Sequence, residues 1–472
     1  ITGLRKPSSS LTRACMMRAL IKNDRAKVYA LFAIVMLGAA LGNLSQTALN
    51  AMLADVASEF SISMSMGQWL TTIYMLTLGA VVPLATFFAR RFSLKNLIYI
   101  AQGFFLAGAL LDFVAWNFPV LLLGRVLQAI STGMLLPLVQ TIAVTRFQKN
   151  RRATAMGIAG IALGFAPSIG PTIGGALVGS MGWRSFFVIL VVLSGMLLVA
   201  TAVCVNAEKV PPDSMPLDSL SFVLSTLGFG GLLLAFSNAS NFSLTDPVVW
   251  AALVVGIVSL VLFVLRQRRV PDPLINLHIF SSRQFTIGFI AQCLLFASFL
   301  GITLVVPLYV EGLCGKTALE AGFVLLPGTI AALVINPLAG VLTDRVGVRP
   351  VVLCSGVFLV LGAVGMVFMD AHTSLAQMML WQGVRNVGIA GLIGPLTSWS
   401  LAKLPQEIVT DGSSFCVAVR QVCASLGTAT MVFIITTTAS VAVNPALGYQ
   451  LAFACSALLA AATLACIFWR IR

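Results

Sequence analysis

Charge is what this sequence has least of. Asp, Glu, Lys and Arg make up 9% of its 472 residues, against about 25% in a soluble globular chain. Histidine is nearly missing too. His278 and His372 stand far apart in polar connecting stretches, so no zinc site is indicated. No GxxxxGKS or GxxxxGKT run occurs, which excludes a phosphate loop and ATP as this chain's own driver. No acid, base and metal-ligating groups converge, so neither an enzyme, a cofactor nor a metal is expected. Nine cysteines are scattered, mostly inside apolar runs; Cys314 alone falls clearly in an outer loop, so no disulfide framework is available. The first 27 residues are basic and lack an apolar core ending in a small-residue cleavage site, which argues against a signal peptide.

What the chain has is apolar length. It is 59% hydrophobic, with a mean hydropathy of +1.00. Runs of about 20 apolar residues, enough to cross a hydrocarbon core of about 30 Å, recur along almost all of it. Separated at charged or turn-rich loops, they number about fourteen. The fold class expected is an all-α polytopic membrane protein, since a β-barrel would show short alternating segments instead.

The formal charge of +14 is a topology signal. Lys and Arg cluster at Arg5 to Lys27, Arg90 to Lys95, Arg146 to Arg152, Arg266 to Arg269 and at Arg345 and Arg349. The intervening loops hold few, Arg184 and Lys316 being the exceptions. That alternation places both termini in the cytoplasm of a cell-membrane protein whose solvent is the lipid bilayer. Nucleic acid is not an expected partner.

An internal repeat organises the spans. PLATFFARRFSLKNL (83–97) and PLAGVLTDRVGVRPV (337–351) align without gaps, and GRVLQAISTGMLLPL (124–138) echoes GVRNVGIAGLIGPL (383–396). The division expected is a cytoplasmic tail (1–27), a six-span half (28–206), a linker with two additional spans (207–270), a cytoplasmic loop (271–283) and a second six-span half (284–472). Parallel halves around a central path are a transporter architecture.

Several motifs, in order, sharpen this. They are QWLTTIYML (68–76), GRVLQAISTG (124–133), GFAPSIGPTIGG (164–175), LPGTIAALVINPLAG (326–340), GVLTDRVGVRP (340–350) and RQVCASLGTA (420–429). From about Leu31 to the last span the chain resembles the major facilitator superfamily. Within it the chain is similar to the fourteen-span drug:proton antiporters of the lincomycin-exporter-like branch. The resemblance implies two six-helix halves plus two extra helices.

The fifth-span stretch sets Gly164, Pro167, Gly170, Pro171, Gly174 and Gly175 within a helix that must cross the membrane. Small residues four apart let a neighbouring helix approach closely, and each proline deletes a backbone donor. The resemblance implies a gate that seals the outer end against the other half. In GVLTDRVGVRP, Asp344 can accept from a helix N-terminus or pair with Arg345 or Arg349, while Gly340 and Gly347 permit close packing and a turn. A latch at the cytoplasmic mouth is expected. The first-half copy has Thr86, Arg90 and Ser93 where the pattern wants Gly, Asp and Gly, and a degenerate latch is expected there.

An arginine at bilayer depth costs about 3 kcal/mol or more and needs a partner or a cavity. Arg385 lies about 12 residues, roughly 18 Å, from the outer end of its span; Arg125 and Arg420 are shallower. The resemblance implies a part for Arg125 in proton handling or gating; capping of neighbouring carbonyls is the structural alternative for all three. The family's first-span acid is missing, for LSQTALN (44–50) has Ser45 and Gln46 at the acidic positions. Asp112, roughly 25 Å along its helix from Lys95, is expected near the outer face. Proton coupling therefore rests on the resemblance, with Asp112 as the one substitute acid considered. Asn43, Gln46, Asn50, Tyr74, Gln140, Gln292 and Asn336 are candidates to line an apolar cavity for a small amphipathic substrate, or else to bond between helices.

The reading is a monomeric secondary transporter that exports amphipathic or lipophilic small molecules by alternating access. One alternative is an exporter or flippase of lipid-like or anionic amphiphiles without proton antiport. Another is a non-transporting sensor on the same fold.

Overall fold

The computed structural model describes residues 9–205, 218–241, 247–441 and 446–471. Every regular element among them is helical, as hydrocarbon demands of backbone groups that find no water. Among the described residues, twelve helices are long and apolar enough to cross a membrane. Two more spans complete the set. Leu375–Leu401 is long but carries Gln382, Arg385 and Asn386. The other is broken, running from Arg152–Gly160 through a π turn at Ile161–Phe165 to Ala166–Met181. In chain order the spans are α1 (Ser9–Glu59), α2 (Trp69–Arg91), α3 (Leu94–Val114), α4 (Phe118–Thr145), the broken α5, α6 (Arg184–Cys204), α7 (Ser219–Asn241), α8 (Pro247–Gln267), α9 (Arg283–Leu308), α10 (Ala318–Val346), α11 (Val348–Val367), α12 (Leu375–Leu401), α13 (Val409–Val441) and α14 (Ala446–Arg470).

Local chemistry sets the span ends. The side chains of Asn117, Ser282 and Ser374 accept from the first turns of α4, α9 and α12. Thr317 and Glu320 form a reciprocal cap on α10. Gly347, at φ +92°, turns α10 into α11 in a conformation that side chains rarely adopt. The basic N-terminal segment is helical from Ser9, where α1 begins, and runs unbroken into the first span. The expected inner loop at 206–218 lies outside the described residues except for Asp218, and 242–246 of the NASNFSLTD stretch lies outside them as well.

The additional pair, α7 and α8, pack on each other, and α7 also rests on α2 and α13. Their basic ends are joined where Arg266 donates twice to Asp218, both bonds at 2.8 Å, which holds that carboxyl down to about 2.

Apolar packing divides the molecule by depth. One core, with Val139, Met156 and Ala159 against Ile389, Ile393 and Val422, belongs to both halves. At the basic end a second shared core joins Leu84 and Val144 to Phe285, Leu401 and Cys416. Toward the opposite end the cores separate. Ala48, Met52, Phe105 and Phe186 form one within the N-terminal half, and Ile302, Tyr309, Met366 and Phe453 form another within the C-terminal half. The halves are thus fused at the basic end and independently packed at the other.

Backbone contact tightens the fused side. A Cβ on Gly394 of α12 would sit 2.8 Å from the Cα of Gly157 in α5, and one on Gly340 of α10 would sit 2.4 Å from the Ala153 carbonyl. Gly394→Val is expected to cost the fused arrangement about 1–3 kcal/mol, roughly five- to 150-fold in population. The check is maleimide labelling of a cysteine placed at Ser413, which is fully buried between the halves. Faster labelling is expected, and an unchanged rate would show that this contact does not hold the halves together.

Candidate functional site

The proline-rich limb of α5 solves its own backbone problem. Pro167 has no N–H, so the carbonyl of Ala162, five residues back in the π turn, loses its in-helix donor. Asn43 of α1 supplies one, its Nδ2 donating to that carbonyl at 2.8 Å. The next turns lie against the same helix. A Cβ on Gly170 would meet the Thr47 hydroxyl at 2.1 Å, and one on Gly174 the Ala48 carbonyl at 2.5 Å. Gly175 faces open space, and Gly164 stands opposite Ile393 of α12 at ordinary contact distance. Contrary to expectation, residues 166–181 do not seal against the other half here. They pack on α1 of their own half and touch α10 only sparsely, whereas Arg152–Gly160 is pressed against α10 and α12.

Two latches cross the basic end. Asp344, at the foot of α10, accepts from the backbone N–H groups of Ala153 and Thr154 at 3.1 and 2.7 Å and from the Thr154 hydroxyl at 2.6 Å. These are the free donors of a helix N-terminus, the natural seat of an anion. Arg345 and Arg349 stand exposed beside it, so of the two expected pairings the helix terminus holds. The first-half copy corrects the expectation of a degenerate latch. Arg90 of α2 donates to both oxygens of Asp411 at 3.2 and 3.1 Å, and the Thr86 and Ser414 hydroxyls meet at 3.1 Å. Asp411 lies in the first turn of α13, fully buried, and accepts the Asn276 N–H at 3.0 Å. The acid has moved to the facing helix and the base has taken its place, so polarity is inverted and the bond is kept. Its sequence signal was an acid opening a span at the basic end.

Within each half an arginine clamps the first helix of that half. Arg125 of α4 donates to the Ser45 hydroxyl at 2.6 Å and to the Ser45 carbonyl at 3.2 Å. Arg385 of α12 donates to the Ser298 carbonyl at 2.7 Å and hydroxyl at 3.3 Å. Ser45 and Ser298 occupy matching places in α1 and α9, within one residue of the register set by Pro83 and Pro337. The surroundings then differ. Around Arg125, Gln128 accepts from the guanidinium at 2.6 Å and from Ser45 at 2.7 Å, and passes its own amide N–H to Asp112 at 2.8 Å. Tyr74 lies beneath, its ring 4.4 Å from the guanidinium carbon. Arg385 has only Ser298 and Ser456, and its Nε and Nη1 find no partner. Asp112 stands near the outer end of its helix, as its residue count predicts, but is fully buried there. Helix α4 covers it, and counting residues along one helix cannot report that cover.

The other candidates fall into distinct places. Gln292 and Arg420 join one network, in which Gln292 accepts from Thr397 at 3.0 Å and from Arg420 at 3.3 Å while Arg420 lies over Phe296. The Tyr74 hydroxyl donates to the Gly42 carbonyl at 2.8 Å. Asn336 bonds its own helix, leaving Oδ1 unpartnered where it faces Gly160 across the halves. Gln140 is buried with its amide unpartnered on both atoms. Gln46 is buried on α1, whereas Asn50 is exposed and takes a bond from Thr71 at 2.9 Å. Sequence alone missed Gln128 and Ser45 as the connecting members, since neither residue type signals burial beside a charge.

A profile of the Major Facilitator Superfamily matches residues 35–428. The chain is 33% identical over 408 residues to the uncharacterized MFS-type transporter YcnB of Bacillus subtilis, covering 86% of each. It is 33% identical over 400 residues to the lincomycin resistance protein LmrB of Listeria monocytogenes, covering 84% of this chain and 83% of that one. Among solved structures, the human organic anion transporter MFSD10 superposes with a TM-score of 0.65 over 93% of this chain and 99% of that one. At 14% identity that match speaks for the fold alone.

The inverted latch is testable by itself. With native cysteines replaced, cysteines at Thr86 and Ser414 should crosslink readily across the halves. Arg90→Ala should slow crosslinking by leaving the buried Asp411 short of a partner, a loss of about 1–3 kcal/mol. Arg90→Lys should restore most of the rate and Arg90→Glu should be slowest of all. Equal rates in all four proteins would show that the ion pair carries no latching energy.

Proposed function

This chain belongs to the major facilitator superfamily, and on that premise we propose that it is a secondary transporter exporting amphipathic or lipophilic small molecules. The observation that carries the proposal is the division of its packing. The halves share cores at the basic end and keep separate cores at the opposite end. With the basic end cytoplasmic, as positive loops require, this is a carrier closed to the cytoplasm, one of the two states that alternating access needs. The two six-span halves rock against each other, and Asp344 and the Arg90–Asp411 pair break and re-form as they do.

Similarity to a lincomycin resistance protein supports drug-like substrates. Both termini lie on the cytoplasmic side of the plasma membrane, the protein works as a monomer, and export is driven by proton entry. The anionic-amphiphile alternative finds little support, for Arg385 points at α9 and α14 inside its own half rather than between the halves.

Expression in a drug-sensitive host lacking its own exporters is expected to raise tolerance of lincomycin or ethidium severalfold. Asp344→Asn, which weakens the acceptor at the α5 terminus by about 1–3 kcal/mol, should lower that tolerance while membrane abundance is unchanged. A wild-type strain no more tolerant than the empty host toward a broad panel, with the protein present in its membrane, would refute export.

A further inference from the structure

The two arginine clamps differ in one chemical respect, and the difference singles out a residue. In the C-terminal half the buried guanidinium meets only hydroxyls and a carbonyl. In the N-terminal half it is tied through Gln128 to a carboxylate. From this asymmetry we infer that Asp112, in the third span, is the proton-binding residue, taking the place of the acid absent from LSQTALN in the first. The inference rests on the export reading above and assigns its coupling site.

Four observations converge on Asp112. It is fully buried, where an ionisable side chain is costly and marks function by default. One oxygen, Oδ2, accepts from Gln128 at 2.8 Å; the other, Oδ1, has no partner and is the atom free to take a proton. Oδ1 lies over Gly124, where a Cβ would come within 2.0 Å of it, so the room it occupies exists because position 124 has no side chain. The residue also stands two positions before the end of α3, at the sparsely charged end, on the side from which a proton entering the cell arrives.

The charged and titratable groups around it are few. From α4 there is Arg125, and from α2 Tyr74, stacked on that arginine. From α6 there is Arg184, which donates to the Ala115 carbonyl just beyond α3 and pairs with Glu59 of α1. No second carboxylate among the described residues shares the pocket. When a proton from the outer water binds Oδ1, the anion that balances Arg125 is lost and the guanidinium must lean on the neutral acceptors Ser45 and Gln128. Ser45 sits on α1, two residues from Asn43, whose amide holds the orphan carbonyl of the α5 π turn. Proton binding in α3 is thereby linked through α1 to the limb that packs against it. Release of the same proton on the cytoplasmic side restores the anion and completes the exchange.

Two readouts test this on the full chain in proteoliposomes. With ethidium as the probe, the wild type should accumulate it against its gradient when a proton gradient is imposed. Asp112→Asn should abolish that accumulation but keep ethidium exchange at equal pH on both sides, and Asp112→Glu should recover part of the uphill transport. An Asp112→Asn protein that still accumulates ethidium overturns the inference and leaves export standing. A wild type that neither accumulates nor exchanges ethidium counts against the export reading, and the second readout then decides the inference by itself. In infrared difference spectra on a pH step, a carboxyl C=O band that titrates in the wild type should vanish in Asp112→Asn and return, displaced, in Asp112→Glu. A band unaffected by Asp112→Asn would place the proton elsewhere and overturn the inference.

Discussion

A guanidinium sealed inside a membrane protein has to be answered from within, because neither lipid nor water can reach it. The architecture depends on how that demand is met twice. In each half, an arginine on the fourth helix reaches the serine of the first and binds its backbone carbonyl. A bond of this kind fixes the relative depth of two helices that lipid would otherwise let slide, since hydrocarbon offers no solvophobic force between apolar surfaces. The duplicated clamp ties the first and fourth helices of each half to one another. On the transport reading, such ties within a half are what would let it move as one piece.

Between the halves the bonds are of another sort. Contacts at the basic end are backbone against backbone, at Gly157, Gly340 and Gly394, or charge against a helix terminus, at Asp344. They are short-range, and on the transport reading they would be made or lost together as the two surfaces part. The Arg90–Asp411 pair shows that the need at this position is for a bond of either polarity and not for a given residue. The additional helices α7 and α8 fit the same scheme, since α7 lies on both α2 and α13 and so rides on each half at the seam.

Much of this was legible in the sequence. The number of spans, the repeat and the basic end follow from apolar run length, the Pro-Leu-Ala pair and the placement of Lys and Arg. The buried arginines were legible too, because a charge in an apolar run has few explanations. What the sequence hid were partners distant along the chain. Asp112 is shallow by residue count, yet α4 covers it, and burial depends on a neighbour that one helix does not reveal. Asp411 and Arg90 are 321 residues apart and break the repeat's pattern at both positions, so neither signals the other. The proline-rich stretch was readable as a kinked, closely packed helix, but not the helix it packs on, which is α1 of its own half.

The central claim is that two rigid halves turn about a shared middle, so that closing one end opens the other. Spin-label distances measured as pairs test it most directly. One pair would be placed at the exposed basic-end positions Lys149 and Arg349 and the other at the exposed opposite-end positions Trp116 and His372. Across a titration from alkaline to acidic pH with ethidium present, the account predicts that the first distance lengthens as the second shortens, with matched populations. Two distances that stay fixed, or that grow and shrink together, would contradict it.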